Sequence, residues 1–235
     1  MPDQADPDTL DALRTRWTQT LKAAQATTTQ EPPAPVPDPT PYADNLLTRY
    51  QEPQRRYHTL THLTAVLDHI DVLEQAEAGY APDPALVRLA AWFHDAVYAP
   101  DRSENEERSA RLAERALPEA GVSAADTAEV ARLVRLTVTH APAPDDRNGQ
   151  VLCDADLAIL AASPETYATY TAAVREEYGF VPEDAFREGR AAVLRQLLAL
   201  PRLFRTPYGA QRWEEAARAN IAAELEQLEA APGQP

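Results

Sequence analysis

The chain has 235 residues, 44% of them hydrophobic and 25% charged, ordinary globular values that exclude wholesale disorder, a collagen-like fibre and a disulfide-stapled mini-protein. Twenty-two basic against 37 acidic residues give a net charge of −15, the wrong sign for a protein that coats phosphate backbones, so bulk nucleic acid is excluded as a partner. The single cysteine, Cys153, excludes an intrachain disulfide and a Cys-rich zinc site and points to a reducing compartment.

The N-terminus is acidic and has no basic stretch followed by an apolar one. Nowhere do about 18 apolar residues run uninterrupted, so a cytoplasmic chain without a membrane partner is expected. Leu10, Leu13, Trp17, Leu21 and Ala24 step by three and four. Residues 1–29 therefore read as an N-terminal helix packing on the same domain, because a lone helix has no core of its own. Residues 30–41 carry six prolines and read as an extended surface loop. From 42 to 230 the period stays helical, with helices expected at about 42–51, 60–73, 84–97, 104–117, 124–140, 154–162, 164–178, 183–200 and 208–230. Gly79, Gly121 and Gly179 stand where left-handed cap residues close helices, and Ser163-Pro164 looks like an N-cap followed by proline at the first helical position. Residues 231–235 are expected to fray. No period-two strand is found, so the expected fold is an all-α, single-domain bundle of about ten helices.

The segment Leu89–Val97 is apolar nearly all round, yet it carries His94 and Asp95. Burying a carboxylate costs several kcal/mol unless something compensates, and a divalent metal ion compensates by accepting imidazole and carboxylate together. Upstream, His58 and His62 are spaced so that one helix would present both on one side. Thr59 stands where a zinc metalloprotease needs its glutamate, which excludes that chemistry. Downstream, Asp154 and Asp156 again interrupt an apolar run, Val151–Leu160. The three coincidences point to a metal site completed by His58 or His62 and by Asp154 or Asp156. Ser103-Glu104-Asn105-Glu106 reads as a capping box, or else Glu106 turns back towards an attacking water. His140, at a helix end, is a candidate for contact with a substrate phosphate or leaving group. All basic residues but Lys22 are arginines, and Arg56, Arg175 and Arg190 are candidates for a bidentate phosphate clamp.

The order His, His-Asp, Asp resembles the HD-domain superfamily of metal-dependent phosphohydrolases. The resemblance covers about residues 42–225. It is strongest to a predicted bacterial subgroup at Tyr57-His58 through His62, Trp92-Phe93-His94-Asp95-Ala96-Val97-Tyr98, Asn105-Glu106-Glu107-Arg108-Ser109-Ala110 and Asp154-Ala155-Asp156-Leu157-Ala158-Ile159-Leu160. It implies one divalent transition metal ion (Mn, Fe, Co, Ni or Zn, with Mg admissible) held by His62, His94, Asp95 and Asp156. On the same resemblance His62 is preferred as ligand over His58, which becomes a substrate group, and Asp156 over Asp154, which is left to cap its helix. Dinuclear members carry two further histidines before the last Asp, and this chain has only His140 there, which favours one metal. The implied function is hydrolysis of a phosphate ester of a nucleotide or other small phosphometabolite, with Asp95, Glu106 and His140 as catalytic groups and Arg56, His58, Arg175 and Arg190 on the substrate. The alternative is an HD-type ligand-binding regulatory module without catalysis. Self-association as a homodimer is left open.

Overall fold

A computed structural model of the chain describes residues 6–26 and 37–230. Most of the expected proline loop and all of the expected frayed tail lie outside these residues. Among the described residues the fold is all-α, with eleven α-helices and one short 3-10 helix in a single compact domain.

The first seven helices build the larger core. α1 (Pro7–Ala26) turns Leu13, Trp17, Leu21 and Ala24 inward, the stripe that its spacing dictates. Arg14 joins it to α2 (Thr40–Tyr50) through Asp44 at 2.8 Å, and the Trp17 Nε1–H donates to the Pro39 carbonyl at 3.1 Å. The Trp17 and Trp92 rings meet edge to face at 5.5 Å, so α4 (Pro84–Phe93) lies against α1. α3 (Leu60–Ala76), α5 (Asn105–Glu119), α6 (Ala124–Leu136) and α7 (Arg147–Leu157) close the rest. The Asp146 carboxylate caps α7 by accepting from the Gly149 N–H at 2.9 Å. A side chain at Gly149 would overlap that same carboxylate and crowd Leu136, which is why the α6–α7 contact needs glycine there.

A second, smaller cluster holds Leu160, Tyr167, Leu194, Phe204 and Ile221. It is built by the 3-10 turn Ala158–Ala161, α8 (Pro164–Glu177), α9 (Glu183–Ala199), α10 (Pro207–Arg212) and α11 (Glu214–Glu229). Trp213, in the break between α10 and α11, packs against both clusters. Asp154 fastens them together. Fully buried, it accepts from the Arg205 N–H at 2.8 Å and from the Thr206 N–H and hydroxyl, each at 2.7 Å. It therefore serves the backbone ahead of α10 and does not cap α7. Burial lifts its carboxyl to about 6 even so.

Several expected boundaries shift for local reasons. The 84–97 helix stops at Phe93 and the 124–140 helix at Leu136, each followed by a turn. The expected 154–162 helix is the end of a longer α7 plus the 3-10 turn, because Asp146 caps α7 eight residues before Asp154. The 208–230 helix splits at Trp213. Gly79 and Gly121 take φ of 77° and 82°, while Gly179 stays out of the left-handed region. Ser163 caps α8 as expected, accepting from Thr166 at 3.3 Å.

Candidate metal centre

Because α3 begins at Leu60, His62 falls in its first turn, 5% exposed, while His58 stays in the loop before it. The two histidines thus do not share a helix face. His94 is the C-cap of α4 and donates Nδ1–H to the Ala91 carbonyl at 2.7 Å, which leaves Nε2 as the lone-pair atom. That atom lies 3.1 Å from His62 Nε2. Asp95 Oδ2 stands 3.4 Å from His62 Nε2 and 3.1 Å from His94 Nε2, and Asp156 Oδ1 stands 3.2 and 3.6 Å from the same two atoms. His62, His94 and Asp156 offer donor atoms all within 4.8 Å of one another.

Donors about 2.1 Å from one ion stand about 3.0 Å apart at right angles and about 3.4 Å apart at tetrahedral angles. The five separations here, from 3.1 to 3.6 Å, have that length. The two imidazoles and the Asp156 carboxylate could hold a divalent transition ion, with the Asp95 carboxylate beside them. Burial alone would strip the charge from every group. Instead the carboxylates of Asp95 and Asp156 hold His94 well above the ordinary imidazole range and raise His62, while the imidazoles hold both carboxyls well below theirs. The two carboxylates thus face positive charge, a balance that a bound dication could also supply.

Three supports fix this geometry. Arg55, with its side chain fully buried, donates Nη1 to the carbonyls of His58 at 2.9 Å and Asp95 at 2.8 Å, and Nη2 to Ala96 at 3.4 Å. One guanidinium thus ties the loop before α3 to the turn after α4. Asn105 and Ser109, one helical turn apart on α5, brace the next stretch: the Asn105 amide both accepts from and donates to Ala99 at 3.0 Å, and the Ser109 Oγ accepts from the Val97 N–H at 3.0 Å. The expected capping box does not form, since α5 starts at Asn105 without a side-chain cap. His140 takes a left-handed φ of 48°, uncommon for a residue with a side chain, and sets Nε2 2.8 Å from Asp156 Oδ2. Asp156 therefore faces the other histidines with one oxygen and His140 with the second.

Glu177, at the end of α8, is buried at 5% exposure and gathers five donors. Its Oε1 accepts the backbone N–H groups of Arg56, Tyr57 and His58 at 2.8–3.0 Å, and Oε2 faces His58 Nδ1 at 2.6 Å and accepts from the Tyr98 hydroxyl at 2.9 Å. Burial opposes its charge, but the His58 and backbone hydrogen bonds outweigh that and hold the carboxyl down to about 2. The Tyr57 ring stands between, 4.8 Å from His62 and 4.6 Å from Tyr170.

Beside this cluster opens a cavity of about 450 Å³ lined in part by Tyr57, His58, Tyr170 and Arg190. Of the four substrate candidates, His58 and Arg190 line it. Arg56 bonds the carbonyls of Pro53 and Arg55 and stands 3.7 Å from Glu176. Arg175 pairs with Glu183 and holds the carbonyls of Tyr178 and Val181. Both guanidiniums are spent on the fold. Glu106 is half-buried in the first turn of α5, outside the cluster of donor atoms. The sequence pattern did not single out Arg55 or Glu177. Arg55 sits beside an identical neighbour, and Glu177 ends a charged run that reads as a solvated face.

No family model matches the chain, and neither curated proteins nor solved structures match it.

Proposed function

We propose that this chain is a metal-dependent hydrolase of phosphate esters, of the HD type that its motifs resemble. The reading is carried by one observation: His62, His94, Asp95 and Asp156, spread over about a hundred residues of sequence, converge at coordination distances next to a cavity. A divalent ion held there supplies Lewis acidity, drawing charge from a phosphoryl oxygen and making water acidic enough to attack near neutral pH. Asp95, anchored through its own carbonyl by Arg55, accepts a proton from the attacking water. His58, with Nδ1 held by Glu177 and its ring stacked on Tyr98 at 4.2 Å, has Nε2 left to give a proton to the leaving oxygen. His140 orients Asp156 through the carboxylate's second oxygen.

The test is elemental analysis together with hydrolysis of p-nitrophenyl phosphate and a nucleotide panel in Mn, Co, Ni, Zn or Mg. Wild type should hold about one transition ion per chain and turn over at least one ester. His62→Ala and Asp95→Ala should lose both properties. Metal retained by both folded variants, or a loaded protein inert on every ester, overturns the reading.

A further inference from the structure

We propose that the Tyr57 hydroxyl is a further catalytic group, donating a hydrogen bond to a non-bridging oxygen of the phosphoryl group as that group is transferred to water. The proposal rests on the phosphohydrolase reading and gives to a neutral phenol the part for which the sequence offers arginines.

Tyr57 stands in the loop before α3, which is fixed from two sides. Arg55 holds the neighbouring His58 carbonyl at 2.9 Å, and Glu177 accepts the Tyr57 N–H itself at 2.9 Å. The Tyr57 ring is wedged among three others, 4.8 Å from His62, 4.9 Å from His58 and 4.6 Å from Tyr170. A ring so packed places its hydroxyl before a substrate arrives, and a donor that needs no rearrangement is the kind that lowers a barrier. That hydroxyl has no hydrogen-bond partner among the described residues. It is not sealed in either: the buried side-chain atoms without a partner are Trp92 Nε1, Thr127 Oγ1 and Arg205 Nε, so solvent reaches the phenol oxygen. Burial, with Tyr170 and the Asp156 and Asp95 carboxylates close by, holds its proton on well above the ordinary phenol range, so it meets a substrate as a donor.

The cluster opens through its carboxylates. The Asp95 and Asp156 side chains are 15% and 14% exposed, against 4% and 2% for His62 and His94. In phosphoryl transfer negative charge spreads over the non-bridging oxygens, and positioned donors stabilise it there. The arginines nearby are committed elsewhere. Arg55 spends its donors on three carbonyls and Glu52, and Arg56 on two carbonyls and Glu176. Glu224 takes Arg190 in a fork at 2.7 and 3.0 Å. His140 Nε2 is turned to Asp156, and His58 serves the leaving oxygen. A free guanidinium here would be drawn to Asp95 and Asp156 and compete with an ion for them, whereas a phenol brings no charge to compete with.

Tyr57→Phe keeps the ring and removes only the hydroxyl. The metal-loaded variant should match wild type in metal content and Tm and keep its KM within about twofold, because the contact strengthens only in the transition state. Its kcat should fall at least about tenfold, less than for a fully buried oxyanion donor because solvent reaches this one. The fall should be equal on p-nitrophenyl phosphate and phenyl phosphate, whose leaving oxygens differ in basicity, since the hydroxyl serves an oxygen that does not leave. A smaller fall, metal or Tm lost in step with activity, or a several-fold larger fall on phenyl phosphate overturns the assignment. The phosphohydrolase reading fails separately, if loaded wild type hydrolyses neither ester. Calorimetry with orthovanadate, which mimics the transferring group, then decides about Tyr57. A Kd raised at least about tenfold in Tyr57→Phe upholds the contact, and a smaller change, or no binding by wild type, overturns it.

Discussion

A guanidinium surrounded by three backbone carbonyls and a carboxylate cannot be exchanged for an ammonium without leaving acceptors unpaired, because arginine spreads five donors over a plane and lysine holds three at a point. Arg55→Lys should therefore cost about 2–3 kcal/mol, roughly 5–10 °C in Tm for a chain of this size. Arg56→Lys should leave Tm and turnover within error, since that side chain is nearly half exposed and bonds only local carbonyls. Thermal melts and kinetics of the pair check both statements, and the reverse order would show that the neighbours had been confused. Glu177 gives a prediction with a pH sign. Its folded pKa of about 2 lies below the ordinary value, so its contribution, about 3 kcal/mol from the size of the shift, is complete above about pH 5 and fades as the carboxylate protonates towards about pH 2. The Tm gap between wild type and Glu177→Gln should shrink as the pH is lowered from 6 to 3.5. At neutral pH the same variant should keep its metal and lose about 10–100-fold in kcat, because His58 loses the carboxylate that orients it.

Among the elements, α5 shows how far local pattern reaches. Its amphipathic face and acidic first turn are plain in the sequence, yet what matters for the centre is that Asn105 and Ser109 grip the strand of chain leaving Asp95. Asn105→Ala would strand the Ala99 N–H and two carbonyls, and should lower stability by about 1–3 kcal/mol. Hydrogen exchange should then quicken at Val97 to Arg102 before it does in α4; unchanged protection there would mean that the loop stands without α5. The helices themselves were legible because their apolar period is strong, and the misplaced ends have identifiable causes. Phe93 ends α4 because His94 turns its ring to the Ala91 carbonyl and Arg55 claims those of Asp95 and Ala96. The four clustered donors were legible because an imidazole or carboxylate inside an apolar run is a contradiction that needs a partner. Glu177 was not, because its burial comes from contact with residues 119–121 positions away, which no local period encodes.

For the molecule as a whole, the cluster joins α3, the end of α4 and α7, so an ion bound there should stabilise the entire fold. Chelation should lower Tm, with wild type regaining about 4 kcal/mol at a free ion concentration a thousand times Kd. Metal occupancy should fall as the pH drops from 8 to 6, because His62 and His94 hold protons above the usual imidazole range in the carboxylate field and the ion must displace them. Equilibrium dialysis across that range checks the sign, and occupancy rising with acidity would contradict it. No described helix is long and apolar enough to cross a membrane.

The reach of Glu177 also sets an order in time. Arg56 is translated 121 residues before the carboxylate that receives its N–H, and ribosomes add about 5–20 residues per second. For roughly 6–24 seconds the loop carrying His58 is outside the ribosome with its three N–H groups bonded only to water. The loop carrying His58 is therefore fixed only after α8 has docked, by which time the segments that carry His62, His94, Asp95 and Asp156 have all been made.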